Sequence, residues 1–272
     1  MSATLDIPDW FWSAAVFVFG SCVGSFLNVC IYRIPRGESI ITPASHCPIC
    51  GNHIAWYDNI PILSFLLLRG RCRHCSQRIS LRYPLVEALT ALLFLAVWLR
   101  FGPGWLTPVY WLATGGLIVA SFVDLEHMII PDRISMGGIP AGLLLSVLFP
   151  EMHAQQSRLA ALGWSLAGAA TGAAALWAIG VLGKLVFRRE AMGWGDIKLL
   201  GAIGAFLGWQ GVVFSIIASS IVGSIVGIYL VLSGNSEWQG RIPYGPYLAL
   251  GAMIWILWGP ELAAWYQSLV SF

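Results

Sequence analysis

Charge is scarce in this chain. Asp and Glu number 13 and Lys and Arg 15 among 272 residues, so charged side chains make up 10%, while 58% of residues are hydrophobic and mean hydropathy is +0.76. A water-soluble domain carries about 25% charged residues, so this composition excludes one and leaves the lipid bilayer as the main solvent. A net charge of +2 gives no electrostatic footprint for nucleic acid. The first nine residues hold Asp6 and Asp9 but no Lys or Arg, so they lack the basic start of a cleaved signal peptide, and the first apolar run is expected to remain as a helix. Long repeats and low-complexity tracts are also missing. In hydrocarbon every backbone polar group needs an internal partner, so only helices or closed barrels can span. These apolar runs are too continuous for barrel strands. The expected fold class is an all-α polytopic membrane protein.

Apolar runs occupy residues 11–32, 83–100, 105–123, 134–149, 160–186, 197–209, 211–232 and 246–267. A spanning helix needs about 20 apolar residues, which gives about eight transmembrane helices. The sixth run is short, and Gly208 with Gly211 marks either a turn between two helices or a kink in one, so seven remains an alternative. With the N-terminus outside, 13 of the 15 basic residues fall on the inner side and only Arg100 and Arg158 fall outside, as cytoplasmic loops favour. The expected division is a first transmembrane helix over 1–33, a cytoplasmic module over 34–82, and a membrane domain over 83–272.

That module carries two Cys-x-x-Cys knuckles, Cys47 with Cys50 and Cys72 with Cys75, separated by 21 residues. Two such turns can point four thiolates at one ion, which suits the tetrahedral, sulfur-favouring coordination of Zn²⁺. About 45 residues make too small a core to fold well without such a staple, and four thiolates leave no position for a reactive water, so the zinc reads as structural. A pair of disulfides is the alternative, disfavoured in a reducing compartment; His46, His53 or His74 replacing a cysteine ligand is another.

Ionisable groups at membrane depth mark functional sites by default. Asp124 follows the apolar stretch 115–123, and Asp196 ends Gly193-Trp194-Gly195-Asp196. The topology puts both at the cytoplasmic boundary, where they could face one another across 71 intervening residues. Two carboxyls sharing a site cannot both ionise cheaply, so one keeps a proton while the other activates water, the chemistry of aspartic proteases. Gly193 and Gly195 would allow close backbone approach and unusual dihedrals, and Pro131 would end or kink the stretch after Asp124. The plainer reading makes both aspartates boundary residues, with Asp196 capping a helix. Glu87 reads as a structural hydrogen-bonding acid, Lys198 as a residue reaching for the interface, Asp132 as a solvated pair with Arg133 or a cap, and His127 as a possible support for Asp124.

Gly24-Ser-Phe-Leu-Asn28-Val, Tyr32-Arg-Ile-Pro35, the knuckles with Asn59-Ile-Pro61 between them, Arg82-Tyr-Pro-Leu-Val-Glu87, Asp124 to Asp132, Gly193 to Leu199 and Ile242-Pro-Tyr-Gly-Pro246-Tyr together resemble the bacterial type IV prepilin peptidases (prepilin leader peptidase / N-methyltransferase). The Gly-x-Gly-Asp element by itself also resembles presenilin-like and signal-peptide-peptidase-like proteases; the cysteine module makes the match specific. The resemblance implies that Asp124 and Asp196 are the catalytic pair, supported by Gly193, Gly195 and Pro131. It implies cleavage of leaders from prepilin or type II secretion pseudopilin precursor helices at the cytoplasmic face of the bacterial inner membrane. It implies N-methylation with S-adenosylmethionine, associated with the cysteine module, and Gly70 and Arg71 match a segment tied to that step. No glycine-rich Rossmann fingerprint marks the methyl-donor site. Competing readings are a peptidase-only intramembrane protease, a membrane methyltransferase with structural aspartates, and a non-catalytic zinc-bearing secretion assembly factor.

Overall fold

Apolar sequence in this chain becomes helix because the helix alone satisfies its backbone within the segment. The structure is a computed structural model and describes residues 8–188, 192–233 and 242–270. Its helices are α1 (Asp9–Arg33), α2 (Leu63–Leu67), α3 (Arg82–Phe101), α4 (Leu106–His127), α5 (Asp132–Leu148), α6 (Arg158–Phe187), α7 (Trp194–Leu232) and α8 (Gly245–Val270). Among the described residues, six of these are long and apolar enough to cross a membrane: α1, α3, α4, α6, α7 and α8. Helix α5 has 17 residues, and α7 breaks at Gly208, whose φ of 71° and ψ of 178° are not helical. With α5 included and α7 taken as two, the long apolar helical segments among the described residues are eight. The chain is a multi-pass membrane protein. Residues 1–7, Arg189 and Arg241, which the charge map uses, lie outside the described residues.

Two compact units divide the chain, Met1–Thr107 and Pro108–Phe272. In the first, α1 and α3 pack through small residues. A β-carbon on Gly20 would stand 2.8 Å from the Ala91 Cα, and one on Gly24 2.7 Å from the Glu87 Cα. This small-xxx-small spacing lets membrane helix backbones meet, and it sets Glu87 beside α1.

In the second unit, α6 and α7 approach so closely that the carbonyl oxygen of Gly204 occupies the place of a Gly168 β-carbon, and the reverse holds for Gly168 and Gly204. On the other side of α7, Gly138 and Gly142 of α5 admit Ala202 and Ala205. The first half of α7 therefore runs through protein, with every residue from Leu199 to Phe206 buried. The 14 residues Trp194–Leu207 rise only about 21 Å, short of the roughly 30 Å hydrocarbon core. The carbonyl of Ala205, in the turn before the break, accepts the Ser165 hydroxyl at 2.7 Å and a hydrogen bond from His153. Burial holds His153 below its ordinary pKa, consistent with a neutral ring serving as a structural donor.

Gly204→Val should lower the melting temperature of detergent-purified protein by more than the roughly 1–3 kcal/mol of ordinary overpacking would, because backbone rather than side chain must move. Gly163→Ala, whose β-carbon meets nothing within 4 Å, should leave it unchanged or raise it.

Candidate functional site

Helix α4 continues past Asp124 to His127, which puts the carboxyl in the last turn rather than in the following loop. Asp124 is buried at 5% exposure. Met128 closes the helix with φ of 54°, and Pro131 is the residue before α5 rather than a kink in α4. Oδ2 of Asp124 accepts the backbone N–H of Gly245 at 2.9 Å, and Gly245 is the first residue of α8. The positive end of the α8 dipole thus faces this carboxyl.

Asp196 lies in the first turn of α7, three residues after the cap residue Gly193. Its carboxyl accepts the backbone N–H of the cap residue Gly193, so Asp196 ties down the helix start as the capping reading expects. Its Oδ1 is buried and has no hydrogen-bond partner. The Asp124 and Asp196 carboxyls stand within Coulombic reach of one another. Asp196 therefore lies at the N-terminus of its own helix, and Asp124, in the last turn of α4, meets that of α8; such N-termini favour negative charge, while the proximity of the two carboxyls opposes a second charge.

The glycines around the pair are required for space. Gly193 has an ordinary extended backbone (φ −76°, ψ 142°), so no unusual dihedral is involved, but a β-carbon there would sit 2.9 Å from Asp196 Oδ2. A β-carbon on Gly195 would sit 3.0 Å from the Ile130 Cβ, and one on Gly245 2.9 Å from Asp124 Oδ2 and 3.2 Å from the Ile130 Cδ1. Buried Ile130 therefore wedges between Gly195, the residue before Asp196, and Gly245, whose N–H the Asp124 carboxyl accepts. Lys198 Nζ pairs with Asp132 Oδ1 at 2.8 Å, linking α7 to α5. The solvent-exposed pair expected of Asp132 thus forms with Lys198 rather than with Arg133. His127 is exposed, and among the described residues no hydrogen bond joins it to Asp124.

In the first unit the two knuckles fold alike. Cys47 N–H donates to Asn52 and Cys72 N–H to Gln77, both at 2.9 Å, and the residues after each second cysteine, Gly51 and Ser76, have φ of 70° and 55°. All four sulfurs lie within 4.8 Å of one another, with Cys47 and Cys75 at 3.9 Å. Four ligands at about 2.3 Å from a tetrahedral Zn²⁺ would stand about 3.8 Å apart, so the donor set fits a metal ion. All six cysteines are free, so no disulfide joins the knuckles. The Cys50 backbone N–H holds the Cys47 thiol down to about 7. Cys75, against the pull of the Gln77 N–H, is pushed up to about 11 by desolvation and its cysteine neighbours. Arg73 grips Asp58 with two bonds of 2.7 and 2.6 Å, tying the second knuckle to the turn Trp56–Asn59. Gly70 is buried with φ of 66°, and its β-carbon would press on the Phe65 ring at 3.0 Å; Arg71 is exposed.

Residues 18–101 match the Bacterial Peptidase A24 N-terminal domain and residues 111–228 the Type IV leader peptidase family. Among similar proteins, a Prepilin leader peptidase/N-methyltransferase of Aeromonas hydrophila is 40% identical, covering 95% of each chain. One of Myxococcus xanthus is 43% identical over 97% of this chain and 79% of its own. The chain belongs to the type IV leader peptidase family. A Prepilin leader peptidase/N-methyltransferase of Pseudomonas aeruginosa is 37% identical over 94% of this chain and 93% of its own. No solved structure matches.

Sequence reasoning about this leader peptidase singled out the aspartates and cysteines but gave Ile130 and Gly245 no role. Their signal lay in the Ile-Pro and Tyr-Gly-Pro turns that flank helix starts. Gly245→Ala should cut peptidase turnover at least tenfold while substrate KM stays within about threefold, since a displaced carboxyl costs about 1.4 kcal/mol or more in the chemical step; steady-state cleavage kinetics check it.

Proposed function

We propose that this enzyme cleaves the leader from type IV prepilin or type II secretion pseudopilin precursors with Asp124 and Asp196, and then methylates the exposed N-terminal amine with S-adenosylmethionine. The similar Prepilin leader peptidase/N-methyltransferases support both activities. The observation that carries the peptidase part is the pairing of the buried Asp124 carboxyl with the half-buried Asp196 carboxyl, whose Oδ1 is buried and orphaned. A buried acceptor without a partner is costly, and one set beside a second carboxyl suits a group whose partner is the reacting water or substrate.

In this reading one carboxyl is protonated and the other is the carboxylate base. The base takes a proton from water as its oxygen bonds to the scissile carbonyl carbon, and the acid donates its proton to the carbonyl oxygen. Collapse breaks the C–N bond: the leaving nitrogen takes the proton held by the pair and a hydroxyl of the tetrahedral diol returns its own proton to the pair, so one water is added and the dyad is restored. No covalent enzyme intermediate forms. Which carboxyl is acid and which is base is a property of the coupled pair. A pilin precursor carries a long apolar helix after a basic leader, so lying alongside these helices would bring its scissile bond to the depth of the aspartates. The site then faces the cytoplasm of the bacterial inner membrane, with the N-terminus outside.

Residues 34–82 form the cytoplasmic module in this reading, and 1–33 and 83–272 the membrane parts. Cys47, Cys50, Cys72 and Cys75 hold one structural Zn²⁺, which would fix the two knuckles and the turns packed on them. Methyl transfer moves CH₃ from the donor sulfur to the amine nitrogen; the sulfonium becomes a thioether, and the nitrogen loses a proton to solvent.

Asp124→Asn and Asp196→Asn should each lower cleavage of a purified precursor by 10³-fold or more, with methylation of a pre-cut pilin retained; cleavage surviving either change sinks the dyad. The Cys47→Ser, Cys72→Ser double variant should lose one equivalent of zinc by metal analysis. It should also lower methyl transfer at least tenfold, as misaligned knuckles would, while cleavage persists.

A further inference from the structure

Within the first unit, α1, α3 and the cysteine module enclose a cavity of about 500 Å³, inside the roughly 300–1,000 Å³ range of small-molecule sites. Its membrane-side wall includes Ser25 and Asn28 of α1 with Tyr83 and Glu87 of α3. The close α1–α3 packing at Gly24 brings these four together. Gly70 and Arg71 are not part of the wall.

The wall is rich in acceptors. Asn28 is 2% exposed, and its Nδ2 donates to the Tyr83 carbonyl at 3.0 Å. A carbonyl partner can only face the amide nitrogen, so the bond fixes which end is oxygen. That Oδ1 has no partner. Glu87, 8% exposed, accepts the Ile62 N–H at 2.7 Å on Oε2 and lies in hydrogen-bond range of Ser25. A carboxylate offers about four acceptor sites, so capacity remains. Five arginines also line the cavity, four of them with partners: Arg33 bonds the Ser39 and Pro43 carbonyls, Arg36 the Tyr32 carbonyl, Arg73 pairs with Asp58, and Arg82 stacks over the Tyr83 ring. A buried carboxylate and a buried amide oxygen together call for a cationic or donor-rich occupant.

Backbone strain points to the same wall. Ile62, lining the cavity, has φ of 60° and ψ of −51°, and Leu63 N–H bonds the Pro61 carbonyl across it. This is the rarer, strained form of the γ-turn, at a β-branched residue for which positive φ is an outlier. Such strain costs about 1–3 kcal/mol and concentrates at ligand clamps. Glu87 holds it in place.

We infer that this cavity is the methyl-donor site, binding S-adenosylmethionine with its sulfonium and α-ammonium toward Glu87 and Asn28. The inference rests on the reading of the chain as a methyltransferase. A positively charged sulfur separates the donor from its product S-adenosylhomocysteine, a neutral thioether, so a carboxylate that recognises the charge favours donor over product.

The test is equilibrium binding of S-adenosylmethionine and S-adenosylhomocysteine to the full-length, zinc-loaded protein in detergent, wild type against Glu87→Gln. Glutamine keeps an oxygen for the Ile62 N–H and removes the charge. Donor affinity should fall about tenfold, the scale of one charge-assisted contact, and product affinity should stay within about twofold. Melting temperature and zinc content establish that the variant is folded. Unchanged donor binding in the folded variant overturns the assignment, and equal loss of both ligands overturns charge recognition by Glu87. A wild-type protein that binds neither ligand and transfers no methyl group overturns the parent reading instead.

Discussion

The contact between Gly168 of α6 and Gly204 of α7 is the constraint on which the second unit depends. Backbone meets backbone there without an intervening side chain, which leaves no slack in the depth or rotation of the first half of α7. That half-helix is too short to span and is clasped by α5 and α6 along its length. Asp196 sits at its start, so the position of the carboxyl follows from packing about ten residues away together with its bond to the Gly193 N–H. A side chain with one orphaned oxygen can hold its place only on a scaffold of this stiffness.

A second consequence concerns charge. Both aspartates meet the positive end of a helix, Asp196 in α7 and Asp124 through the first N–H of α8. These dipoles favour negative charge and the mutual Coulombic interaction resists a second one; in the proposed mechanism a single shared proton reconciles the two. Ile130, packed against Gly195 and Gly245, holds the spacing with an apolar group that competes for neither carboxyl. The chain thereby sets polar chemistry inside an apolar wall, which strengthens every electrostatic interaction in it.

The helices were legible because lipid permits few alternatives: the seven long described α-helices follow the eight apolar runs to within a few residues, and α7 joins two of them. Gly208 was legible as a break but not as a kink rather than a turn, since that depends on whether the helix resumes beyond it. The aspartates and cysteines stood out because charge is rare and two matched knuckles are specific. What was illegible is what long-range packing decides. The Asp132–Lys198 pair, the Gly245 N–H on Asp124, and the Glu87 bond to Ile62 join residues 66, 121 and 25 positions apart. Local pattern assigned Asp132 to Arg133 and left Glu87 without a partner because sequence proximity is a poor guide once helices pack.

The central claim is that Asp124 and Asp196 act as one catalytic unit. The direct measurement is a double-mutant cycle on precursor cleavage, with Asp124→Asn, Asp196→Asn and the double variant assayed beside wild type at equal folded concentration. Groups that act as a unit are non-additive, so the double variant should cleave no more slowly than the worse single variant. Losses that multiply would show two independent contributions and contradict the account.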